Sequence, residues 1–127
     1  MLNRPLIGII LLVVAVVISI LSLVFIETNC GELIDMLNET ATVVQEKNAD
    51  KTSKSLTAVV EKWEKIRPVL NIIVGQGETN EIRSELNKVI FFANTGDFET
   101  TLLYIEECRT DINKIIAGNE PTISTIL

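Results

Sequence analysis

An unbroken apolar run from Leu6 to Ile26, 21 residues without a charge, governs what this chain can become. Only Gly8, Ser19 and Ser22 interrupt a string of Leu, Ile, Val, Ala and Phe. As a helix rising about 1.5 Å per residue, the run spans roughly 31 Å, the thickness of a bilayer's hydrocarbon core. A secretory signal peptide has a shorter apolar core, about 7–15 residues, closed by small residues at a cleavage site. Here the run ends in Phe25-Ile26-Glu27. Cys30 makes a poor lipoprotein signal, because Asn29 stands where a small residue is needed. The run is therefore read as an uncleaved anchor, with a cleaved signal and a soluble core helix as the alternatives.

Charge sets the expected orientation. Arg4 and the α-amino group precede the run, whereas Glu27, Glu32, Asp35, Glu39 and Glu46 follow it before the first positive charge at Lys47. The positive-inside rule then places the N-terminus in the cytoplasm and the bulk of the chain outside, a single-pass protein of the cell membrane. All 17 acidic residues but only 10 of the 11 basic ones lie beyond the run. So acidic a domain argues against nucleic acid and against adhesion to anionic lipid. Within the run, Gly8, Ala15 and Ser22 recur seven apart and Ser19 follows Ala15 by four, aligning a narrow face that another membrane helix, or a second copy of this one, could approach.

The remainder is large enough for one modest core. It divides into a cytoplasmic stub and anchor over 1–27, a helical bundle over 28–118 and a C-terminal tail over 119–127. Four amphipathic stretches are legible. The first, about Gly31 to Asn48, carries Leu33, Leu37, Ala41 and Val44, widened by Ile34 and Met36. Asn29 with Glu32 resembles an N-cap and its reciprocal partner; alternatively anchor and first stretch are continuous, since Gly31 alone need not stop a helix. The second, about Lys51 to Val74, carries Leu56, Val59, Val60, Trp63, Ile66, Leu70, Ile73 and Val74, and its apolar phase survives Pro68, which fits one kinked helix. Gly75-Gln76-Gly77 reads as a turn. The third, about Glu78 to Asn94, carries Ile82, Leu86, Val89, Ile90 and Ala93, and Asn94-Thr95-Gly96 supplies its stop. Asp97 caps the fourth, about Phe98 to Ala117, with Phe98, Leu102, Ile105, Cys108, Ile112 and Ile115-Ile116 on one face, ended by Gly118 and Pro121. The fold class expected is all-α: an N-terminal transmembrane helix followed by an antiparallel bundle of about four helices. Opposite charge on neighbours agrees, with a net −5 over residues 27–50 and +3 over 51–75.

Chemistry is sparse. The chain has no histidine, so the commonest general base and transition-metal ligand is missing, and with it the Glu-x-x-His pairs of di-iron bundles. Glu78/Glu81/Glu85 and Glu106/Glu107/Asp111 could share a helix face around a hard cation, but are read as solvated outer-face charge. Cys30 and Cys108 are expected as free thiols, because an up-down bundle separates them by roughly 13 Å along its axis, beyond disulfide reach; Cys108 is placed in the core and Cys30 at the membrane interface. Trp63, on an apolar stripe, is read as core. Asn38-Glu39-Thr40 is a chance glycosylation sequon. No catalytic, cofactor-binding or metal-binding residue is assigned.

These features together resemble one family, the short single-pass proteins of domain-of-unknown-function family 4363 from spore-forming Gram-positive bacteria. The resemblance rests on the anchor, on Glu61-Lys62-Trp63-Glu64-Lys65-Ile66, on Glu78-Thr79-Asn80-Glu81-Ile82, on Asp97 opening the last helix, and on Glu120 with the terminal Ile126-Leu127. Two departures stand out. The family often carries a His near Gly77-Glu78 and usually an Asn before its terminal Ile-Leu; this chain has no His and has Thr125 there. The resemblance implies a membrane-anchored helical protein, sometimes encoded near other membrane proteins. It implies no established activity and carries over no catalytic residue.

The expected function is a non-enzymatic, membrane-anchored extracytoplasmic accessory or scaffold module for another envelope protein. The alternative is a sensor-like four-helix bundle holding a small anionic ligand around Arg67 or Arg109.

Overall fold

The computed structural model describes residues 3–126, with side chains through residue 118. Four helices account for it: α1 (Arg4–Gln45), α2 (Ala49–Val74), α3 (Gln76–Asn94) and α4 (Phe98–Ile126). No strand occurs among the described residues.

The anchor and the first amphipathic stretch are one helix of 42 residues. Pro5 lies in its first turn, where a missing N–H costs no intrahelical bond. Gly31 does not interrupt it, and Asn29 is therefore not a cap. Half-buried in mid-helix, Asn29 donates from Nδ2 to the Phe25 carbonyl at 3.0 Å and accepts Lys62 Nζ on Oδ1 at 3.0 Å. The bundle accordingly has four helices in all, the first being the continuation of the apolar run.

Sharp links set the up-down course. Lys47 takes a left-handed φ of 57° between α1 and α2, and Asn48 Oδ1 caps α2 by accepting Lys51 N–H at 3.1 Å. Helix α2 passes through Pro68 unbroken. A single residue, Gly75 (φ 92°, ψ 164°), then separates α2 from α3, so the turn is tighter than the three residues expected, and Gln76 and Gly77 already belong to α3. Gly96 (φ 79°) and Asp97 make the last corner, with Thr100 N–H donating to Asp97 Oδ1 at 3.1 Å. Helix α4 does not stop near Ala117 but runs on to Ile126, through Gly118 and Pro121. A glycine and one missing N–H weaken a helix without forbidding it. Docking of the 119–127 tail, and the side chains of Glu120 and Ile126-Leu127, lie outside the described residues.

Each helix packs against two others, α1 on α2 and α4, α3 on α2 and α4, which closes a square. Contacts fix the antiparallel register. Thr40 meets Ser55 and Asn29 meets Lys62 across α1 and α2, and Phe92 stacks on Tyr104 across α3 and α4. The buried positions alternate three and four apart: Ile26, Cys30, Leu33, Leu37, Thr40 and Val44 in α1, and Thr52, Leu56, Val59, Trp63, Ile66 and Leu70 in α2. Thr79, Ile82, Leu86 and Val89 in α3, and Thr101, Ile105, Cys108, Ile112 and Ile115 in α4, continue the rule. That is the 3.5-residue seam of knobs-into-holes packing. Threonine fills several seam positions because its methyl packs while its hydroxyl is satisfied locally; Thr101 Oγ1 donates to the Asp97 carbonyl at 2.7 Å.

Candidate functional site

The α3–α4 seam holds a cluster of titratable side chains that departs from a solvated surface. Glu85 precedes the core residue Leu86, and Asp111 precedes Ile112, so each flanks an apolar stripe on its own helix. Packing α3 on α4 turns the two flanks towards each other, and these carboxylates are not on the outer face as expected. The Asp111 side chain is only 17% exposed. Glu85 Oε2 and Asp111 Oδ2 are buried without a hydrogen-bond donor among the described residues. Two carboxylate oxygens can pair only through a proton held between them. Burial first, then the hydrogen bond to Asp111, then the charges of Asp111, Glu107 and Glu81 push Glu85 up to about 8. No group of three or more His, Cys, Asp or Glu side chains arranged to hold a metal ion occurs among the described residues.

The α1–α2 seam carries the charge complementarity read from the sequence. Lys62 Nζ lies 2.5 Å from Glu32 Oε2 while also donating to Asn29, and Lys51 lies 3.8 Å from Glu46. Above Lys62 an open groove of about 570 Å³ runs between the same helices, lined by Met36, Thr42, Val43, Ser55 and Ala58 with Glu39, Lys51 and Lys54. Counting back from Met36 in sevens along α1 reaches Asn29, Ser22, Ala15 and Gly8. A step of seven drifts by about 20° on a straight helix, so Gly8 lies about 80° round α1 from Met36, and Lys62 of α2 covers the Asn29 position between them. Gly8, Ala15 and Ser19 are exposed, and nothing lies within 4 Å of where a Cβ on Gly8 would stand. Ser22 is half-buried against the bundle. Ser19 Oγ donates to the Ala15 carbonyl at 2.9 Å, which satisfies its hydroxyl without water.

The two arginines do not converge. Arg67 on α2 pairs with Glu64 at 3.4 Å. Arg109 on α4 pairs with Glu106 and donates to Asn38 Oδ1. By the register of the helices Arg67 stands level with the Ile26 end of α1, roughly 18 Å along the bundle axis from Arg109.

Both cysteines are free, and both are core. Cys30, placed at the membrane interface from sequence, is 1% exposed, because the seam of α1 begins at Ile26 rather than beyond Gly31. Burial raises the Cys30 thiol to about 11 against a smaller opposing pull from Lys62, and raises Cys108 further. Neither offers a thiolate at neutral pH.

A family model described as domain of unknown function (DUF4363) matches residues 20–126. No curated protein and no solved structure matches.

Proposed function

We infer the role of this chain from a premise and a build: it belongs to the DUF4363 family, which assigns it no activity, and it joins a span to a bundle without a break. The reading supported best is a non-enzymatic, single-pass accessory module that holds another membrane or envelope protein, with its N-terminus in the cytoplasm and its bundle outside. One helix among the described residues is long and apolar enough to cross a membrane. The observation that carries the partner reading is the small-residue face of the apolar run, on which Gly8, Ala15 and Ser19 are exposed and nothing crowds Gly8. Small residues let a partner helix in the bilayer pack closely against that face. The absence of histidine and the inert, buried thiols favour a binding role over a catalytic one.

The test is cross-linking in native membranes, followed by gentle detergent purification and mass spectrometry. A stoichiometric membrane partner that is lost on Ala15→Leu, while the variant still inserts and folds, is the expected result. Recovery of the protein alone, or a partner retained by Ala15→Leu, overturns the reading.

A further inference from the structure

The apolar run is longer than the part of it left free to face lipid. Ile26 is fully buried in the bundle core, Phe25 packs against that core, and Ser22 and Leu23 are half-buried. The helix is exposed on all sides only from Leu6 to Leu21, about 16 residues or about 24 Å, against a hydrocarbon core of about 30 Å; beyond that Val24 still faces outward on one side. Something else must occupy the missing depth, or the bilayer must thin.

Helix α2 descends into that depth. Lys62 lies opposite Asn29 and Glu32, so with antiparallel helices residues 69–74 stand beside roughly residues 18–24 of α1. There the surface is apolar. Ile72 is 86% exposed and Val69 40%, Ile73 and Val74 are half-buried, and no charge occurs from Pro68 to Gly77. Glu78, exposed in the first turn of α3, stands about level with Ile72, and Lys114 lines the same hollow as Ile73 and Val74; Val69 and Ile72 nevertheless lie on α2 next to the exposed apolar surface of α1.

We propose that the α2–α3 corner is a lipid-binding foot, which sinks Val69 and Ile72 among the acyl chains of the leaflet at the C-terminal end of the span. The proposal rests on the membrane-anchored reading above. Contact is with the apolar layer and not with anionic headgroups, in keeping with the acidic charge of the bundle. The foot restores the depth that α1 surrenders to the core.

Nitroxide labels test this in the full chain, reconstituted in phosphatidylcholine–phosphatidylglycerol vesicles. One label each is placed at Ile72→Cys, at Leu12→Cys within the span and at Ser53→Cys on the exposed far end of the bundle. The native thiols are buried and do not compete while the protein is folded. Oxygen concentrates among acyl chains and a nickel chelate in water, so the ratio of the two collision rates reports depth. The expected result is a ratio at position 72 well above that at 53 and approaching that at 12. A ratio at 72 equal to that at 53, with 12 still deep, overturns the foot but leaves the anchor standing. Aqueous ratios at all three positions overturn both.

Discussion

At the scale of residues, the α3–α4 carboxyl pair makes the molecule sensitive to pH. The folded-state value of Glu85, about 8, lies above its ordinary 4.5, so the folded chain takes up a proton before the unfolded one does. Stability from this group therefore grows as pH falls from about 8 towards 4.5, and the cost of two facing charges is full above that window. Glu85→Gln is expected to raise the Tm of the detergent-solubilised chain at pH 8 and to flatten its rise between pH 8 and 5; an unchanged pH profile would show that the pair holds no shared proton. Trp63 makes a second case. Its ring is buried at the centre of α2, yet its Nε1–H has no acceptor among the described residues. Trp63→Ala should cost about 3–5 kcal/mol. Trp63→Phe should cost much less in denaturant titrations, because it keeps most of the packing and deletes an unpaired donor whose burial costs about 1–3 kcal/mol.

At the scale of elements, two glycines with opposite roles can be told apart by substitution. Gly31 sits inside α1 in helical conformation with open space around its missing Cβ, so Gly31→Ala should stabilise the fold by about 0.5–1 kcal/mol in thermal or chemical unfolding. Gly75 holds φ 92° and ψ 164° and forms the whole link between α2 and α3. Gly75→Ala should cost about 1–3 kcal/mol, although nothing crowds its Cβ. The sequence separates these only in part, since Gly31 leaves both a helix start and a continuous helix open while Gly75 reads as a turn. Periodicity found Leu33, Leu37, Leu56, Trp63, Ile82, Leu86, Ile105 and Ile112 as core, because a buried seam leaves apolar residues at helical spacing. It passed over Thr40, Thr52, Thr79 and Thr101, whose hydroxyls hide a core position from any hydropathy count. It also passed over the Glu85–Asp111 pair. A residue beside a stripe is surface on an isolated helix and becomes interior only when a second helix brings its own flank against it.

At the scale of the whole molecule, the all-α class and the antiparallel course followed from stripe number, short links and the opposite charge of the first two stretches. The continuity of α1 did not follow, because apolar composition changes at Glu27 while backbone conformation does not. Orientation in the membrane is open to a direct measurement. Cys108 is fully buried and cannot serve as the reporter, whereas Ser53 is exposed. Ser53→Cys should react with a membrane-impermeant maleimide in intact cells, and reaction only after lysis would place the bundle inside.

Because α1 is one helix of 42 residues, about 63 Å long, the bundle stands on its span with a fixed bearing, like a flag on a stiff mast. Each residue of helix sets an azimuth of about 100° as well as a height of about 1.5 Å. Deleting one residue between Ile9 and Ile18 swings the bundle by about a quarter of a circle relative to the part of α1 that precedes the deletion, while barely lowering it. Deleting seven lowers the bundle by about 10 Å and leaves its compass direction nearly unchanged. Every surface of the bundle keeps its azimuth relative to the apolar segment for as long as α1 stays one helix.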